Sequence, residues 1–85
     1  MEEEFNLAVL RSKELTERPS NEDLLRLYAL FKQSTEGDIS GERPGGFDFK
    51  GAAKFDAWKN ELGKPTDAAM QEYIDLVNEL HNKES

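Results

Sequence analysis

Tyr28 and Lys32 stand one turn apart in the run Leu24-Leu25-Arg26-Leu27-Tyr28-Ala29-Leu30-Phe31-Lys32-Gln33. The run reads as helix, yet apolar residues fall on nearly every side of it, and residues four apart share one helix face. A greasy surface, an aromatic face and a cation within two turns suit a ligand that is part lipid, part aromatic and part anion. Lys50 and Lys54 are also one turn apart, and Lys13 follows Val9 by one turn. By default each Lys is a solvated surface charge and each aromatic a core residue. The binding reading requires that folding gather Lys13, Lys32, Lys50 and Lys54 around Tyr28.

Catalysis finds little support. There is no Cys, and the one His, His81, lies near the C-terminus. Nucleophilic catalysis normally pairs Ser or Cys with a base. No carboxylate pair sits in an apolar setting that would shift its pKa. No His-x-x-x-His, Cys pair or calcium-loop pattern points to a metal. Gly45-Gly46 follows Pro44 in a turn and lacks the Lys-Ser/Thr ending of a phosphate-binding loop. The expectation is a binding protein and no enzyme, with no catalytic residue, no metal ligand and no cofactor.

Eighty-five residues allow one domain, residues 1–85, and a small core. Charged residues make up 34% and apolar residues 36%, as in a charge-coated helical domain. The net charge of -7 opposes general binding to nucleic acid or an anionic membrane surface, although a local Lys cluster can still hold a small anion. Met1-Glu2-Glu3-Glu4 is acidic where a targeting segment would be basic. No apolar run approaches membrane-spanning length. A cytoplasmic monomer without stable membrane insertion is the simplest expectation.

Four helices must position these residues. The first, about residues 3 to 15, places Phe5, Ala8, Val9, Ser12 and Leu15 on one stripe. Thr16-Glu17-Arg18-Pro19 is its exit. Ser20 caps the second helix, with Asp23 placed to close a capping box, and Gly37 stops it. Residues 37–49 are turn chemistry throughout, long for a loop, with Phe47 and Phe49 expected to pin it to the body. The third helix, about 50 to 62, carries Phe55, Trp58 and Leu62, with Trp58 assigned to the core; Gly63 ends it. Lys64 or Thr66 caps the fourth, which carries Ala69, Met70, Tyr73, Ile74, Val77, Leu80 and His81 as an amphipathic stripe, His81 at its edge. The tail from Asn82 to Ser85 is expected to fray. The fold class is all-α, four helices with one long connection.

Several segments together resemble the acyl-CoA-binding protein family. They are Tyr28-x-x-Phe31-Lys32-Gln33-x-Thr35-x-Gly37-Asp38, Arg43-Pro44-Gly45, Asp48-Phe49-Lys50-Gly51-x-Ala53-Lys54-x-Asp56-Ala57-Trp58, and Ala69-Met70-x-x-Tyr73-Ile74. Order and spacing match over essentially the whole chain. The resemblance implies a four-helix up-down-down-up bundle whose long loop joins two parallel helices. It implies a carrier of medium- and long-chain acyl-CoA esters. Carried over, Tyr28 contacts the adenine, Lys32 the 3′-phosphate region and Lys54 the phosphates. Lys13 and Lys50 contribute at the rim, Tyr73 completes the nucleotide pocket, and Leu25 lines an acyl groove between helices. Three positions depart from the family pattern: Phe31 replaces a usual Tyr, Phe55 a usual Trp, and Ala52 a common Lys. A helical protein-interaction module and a regulator of an acyl-CoA-using enzyme are the competing readings.

Overall fold

A computed structural model describes residues 1–84; the expectation of fraying at Ser85 lies outside the described residues. Four helices form: α1 (Glu2–Ser12), α2 (Asn21–Glu36), α3 (Phe49–Lys59) and α4 (Thr66–Asn82). Their starts follow local chemistry. Ser20 Oγ accepts the Asp23 N–H at 3.1 Å, one half of the expected capping box. Asp48 accepts the Gly51 N–H at 2.9 Å at the head of α3. A Cβ on Gly51 would collide with that capping carboxylate, so a larger residue there would displace the cap. Gly37 ends α2 at φ +79°, a left-handed conformation costly for other residues.

Contacts fix the directions. Phe5 near the start of α1 faces Phe31 near the end of α2, so these two run antiparallel. Lys54 lies over Tyr28, and one turn on, Trp58 bonds to Gln33 and Gly37, so α2 and α3 run parallel. Phe5 meets Tyr73, Arg11 meets Asn78 and Glu17 meets Glu84, so α1 and α4 run parallel. This is the up-down-down-up bundle. A parallel α2–α3 pair needs a connection that returns along α3, about 16 Å of helix, which the loop of residues 37–48 spans.

The main cluster of Phe5, Ala8, Leu30, Tyr73, Val77 and neighbours sits between α1, α2 and α4. α2 packs against both α3 and α4, and α1 packs against α4. α1 and α2 stand apart across a groove.

Six expectations are corrected. α3 ends at Lys59, short of residue 62, because Glu61 and Leu62 turn tightly back onto the Trp58 and Lys59 carbonyls, so Gly63 lies beyond the helix and does not end it. α1 ends at Ser12, before Leu15, because Lys13 and Glu14 turn tightly back onto Leu10 and Arg11 carbonyls. Pro65, with extended backbone, occupies the N-cap of α4, displacing both Lys64 and Thr66 from that role. Phe47 and Phe49 do not pin the loop; they are 91% and 74% exposed. Charge pins it instead, through two hydrogen bonds from Arg43 to Asp56 at 2.9 and 3.0 Å. Trp58 is half-buried outside the main cluster. At the tail, Asn82 remains helical and the Glu84 carboxylate accepts the Glu17 N–H at 2.8 Å.

Gln33, 1% exposed, ties the α3 end of the bundle together. Its amide nitrogen donates to Asp38 and to the Lys64 carbonyl, both at 2.9 Å, and its oxygen accepts the Trp58 indole N–H at 3.1 Å. The Gly63 N–H and the Gln33 amide hold the Asp38 carboxyl below its ordinary value. A carboxylate whose folded pKa is depressed stabilises fully above its unfolded value of about 3.9 and loses that contribution as pH falls through the folded one. The stability gap between wild type and Asp38→Asn is therefore expected to close between about pH 5 and pH 2. Thermal denaturation across that range checks it; a gap that widens on acidification contradicts the role.

Candidate functional site

The helix that reads as apolar on every side uses its sides differently. Ala29, Leu30 and Gln33 are buried, whereas Leu24, Leu27, Tyr28 and Phe31 face the gap left between α1 and α2. That gap is an open groove of about 360 Å³, closed on the α1 side by Val9, Ser12 and Lys13. Tyr73 from α4 forms part of its wall. Phe31 and Tyr73 have ring centroids 6.4 Å apart, and Phe5 lies 5.1 Å from Tyr73 behind them, an arrangement that holds the rings as fixed faces. Burial raises the Tyr73 phenol above its ordinary value, partly offset by its hydrogen bond to Ser12. The phenol therefore stays protonated at neutral pH.

Tyr28 is shared with a second groove, of about 310 Å³, between α2, the long loop and α3. Lys54 and Trp58 line it, and the Lys54 amino group lies 5.1 Å from the centroid of the Tyr28 ring. A cation over an aromatic face is attracted by the ring quadrupole and leaves its outer N–H groups free for an anion. One aromatic residue thus stands between an apolar groove and a cationic one.

The remaining expected residues are dispersed. Lys13 is exposed at the mouth of the α1–α2 groove. Lys32 points to the other side of Tyr28, 5.2 Å from the Trp58 ring centroid and ion-paired with Glu36. The hydrogen bond to Glu36 raises its pKa above the ordinary lysine value, against a smaller effect of burial. Lys50 is exposed and lines neither groove. Leu25 faces away from both and lines a third groove of about 350 Å³ with Ala29 and Ala57, bounded by Glu22, Arg26 and Glu61. Folding thus brings Lys13, Phe31, Lys54 and Tyr73 next to Tyr28, and leaves Lys32 adjoining, with Lys50 and Leu25 apart.

Two residues with a part in this geometry show no site role by their spacing. In the sequence Ser12 is a small residue on the α1 stripe; its hydroxyl reaches the groove wall beside Tyr73. Gln33 positions Trp58; in the sequence it lies between Lys32 and Ser34 in the polar end of α2, where nothing marks it as buried. Among the described residues no group of three His, Cys, Asp or Glu could hold a metal ion, and no helix is long and apolar enough to cross a membrane.

Comparison with known proteins gives a consistent result. Residues 2–77 match the family model described as Acyl CoA binding protein. An acyl-CoA-binding protein homolog of Drosophila melanogaster is 50% identical over 78 residues, 92% of this chain and 91% of that protein. The acyl-CoA-binding protein of Brassica napus is 48% identical over 85 residues, 100% of this chain and 92% of that protein. The crystal structure of Oryza sativa acyl-CoA-binding protein 2 superposes with a TM-score of 0.92 at 43% identity, covering 96% of this chain and 91% of that one.

Proposed function

This chain belongs to the acyl-CoA-binding protein family, and on that premise we propose that it binds medium- and long-chain acyl-CoA esters and serves as their carrier and pool former. The observation that carries the reading is the position of Tyr28, one ring bordering both an aromatic-walled groove and a groove lined by Lys54. The first suits a flat heteroaromatic base, the second a phosphate.

In this reading the adenine stacks in the α1–α2 groove against Tyr28, with Phe31 and Tyr73 as its other aromatic faces. Lys54 holds phosphate from above the Tyr28 ring. Lys32 takes the 3′-phosphate region by exchanging Glu36 for the ligand. That exchange costs little, because the Glu36 side chain is 53% exposed and exposed ion pairs are weak. Lys13 and Lys50 add charge at the rim. The acyl chain follows a groove between helices with Leu25 among its lining residues. The whole chain, residues 1–85, acts as one binding domain, a cytoplasmic monomer that neither catalyses a reaction nor requires a metal or cofactor, and that binds no nucleic acid.

Calorimetry with palmitoyl-CoA, CoA and palmitate tests the division of contacts. Burying acyl methylenes contributes about 0.8 kcal/mol each when fully desolvated, so the thioester should bind far more tightly than CoA. Free palmitate lacks the nucleotide contacts and should also bind weakly. Equal binding of palmitate and palmitoyl-CoA contradicts the reading.

A protein-interaction module is the competing reading. Leu7 and Leu10, each 59% exposed on α1, give it a surface. A concentration-dependent dimer undisturbed by palmitoyl-CoA would favour it. A regulator of an acyl-CoA-using enzyme would employ the same ligand site and differ by its pull-down partners.

A further inference from the structure

The α1–α2 groove is apolar along most of its wall. Its polar side chains are Lys13 at the mouth, the Tyr28 phenol shared with the next groove, and the paired hydroxyls of Ser12 and Tyr73. That pair is directional. The Ser12 hydroxyl donates its one proton to the Val9 carbonyl at 2.7 Å. The Tyr73 hydroxyl donates its one proton to Ser12 Oγ at 3.3 Å. Each hydroxyl carries one proton and two lone pairs, so both protons are committed within the protein. Tyr73 is 4% exposed and Ser12 is half-buried, which limits the water available to reorient them.

We propose that the Tyr73–Ser12–Val9 hydrogen-bond chain presents only acceptors to the α1–α2 groove and so selects a base that donates from its exocyclic position, an amino-substituted purine over its oxo counterpart. The inference rests on the reading that the base occupies this groove. An exocyclic amine supplies N–H groups to the free lone pairs of Tyr73 and Ser12. A carbonyl at the same ring position meets lone pair with lone pair. To accommodate it, Tyr73 must withdraw its proton from Ser12, leaving that oxygen with one contact fewer. Ser12 is therefore a specificity residue. It acts by fixing the direction in which Tyr73 donates as well as by its own lone pair. Phe31, which has no hydroxyl, adds no polar atom to the wall beside this pair.

The test compares palmitoyl-CoA with the same thioester carrying hypoxanthine in place of adenine, in wild type, Ser12→Ala and Ser12→Thr, by calorimetry. Wild type should favour the adenine form roughly tenfold, the scale of one unsatisfied polar contact. Ser12→Ala frees the Tyr73 proton to turn toward a carbonyl, so its preference should fall to near unity. Ser12→Thr keeps the hydroxyl and should restore the preference. Circular dichroism establishes that each variant is folded. Equal binding of the two thioesters by wild type, or a preference that survives in Ser12→Ala, overturns the inference while leaving the carrier function intact. Failure of palmitoyl-CoA to bind wild type at all removes the function itself, a separate result.

Discussion

Tyr28→Ala should weaken palmitoyl-CoA binding by roughly 5- to 150-fold, the equivalent of losing about 1–3 kcal/mol of base stacking. Two effects combine at this position. The ring is a wall of the α1–α2 groove, and it is also the platform over which Lys54 is held. Removing it opens the groove and frees the Lys54 side chain to wander from the phosphate. Tyr28→Phe keeps the ring and the cation–π contact, so it should retain most of the affinity. Titration calorimetry on both variants reads the difference, with circular dichroism to establish that each is folded. Near wild-type affinity in a folded Tyr28→Ala protein would remove Tyr28 from the centre of the site. Tyr28 is half-buried and outside the main cluster, so its loss should affect the ligand more than the fold.

Gln33→Ala should have the largest effect on stability, a loss of about 2–4 kcal/mol. The side chain is 1% exposed and satisfies three partners from three segments. Its removal leaves the Lys64 carbonyl without this donor. Asp38 keeps the Gly63 N–H at 2.8 Å and Trp58 keeps the Gly37 carbonyl at 3.0 Å, so the damage is partial. In a domain of this size the loss corresponds to a melting temperature roughly 10–20 °C lower. Gln33→Glu should be at least as damaging. It replaces the two-proton donor by a carboxylate, which would face the Asp38 carboxylate and the Lys64 carbonyl. Urea denaturation midpoints order the variants; an unshifted midpoint for Gln33→Ala would show that the hub contributes nothing. Because Gln33 positions Trp58, and Lys32 lies over that indole, a second consequence should reach the ligand side of α3.

Much of this protein is legible in its residues. The four helices follow from apolar spacing, from Ser20 as a cap and from Gly37 as a stop, because these are local preferences of a few neighbouring residues. The excess of apolar residues on α2 already signals a helix with two neighbours and a surface to spare. Tyr28 with Lys54, and the segments around them, carry the family resemblance.

The three-dimensional arrangement decided what spacing left open. The shared face of Tyr28 and Lys32 did not determine which groove each joins; that depends on how α1 and α3 lie against α2. Lys32 turns to Trp58 and Glu36, and Leu25 to a separate groove, because one helix touching elements on several sides distributes successive residues among them. Phe47 and Phe49 stay outside, packed edge to face on each other, while Arg43 and Asp56 tie the loop to α3, a tie that a pattern of aromatics cannot reveal. Ser12 and Tyr73 are 61 residues apart, so the direction of their hydrogen bond exists only once α1 and α4 are packed side by side. The sequence by itself determined the helices, the aromatic and cationic inventory and the family to which they belong. The tertiary structure alone decided which of those residues face one another, since side-chain partners across helices depend on packing, which no local preference encodes.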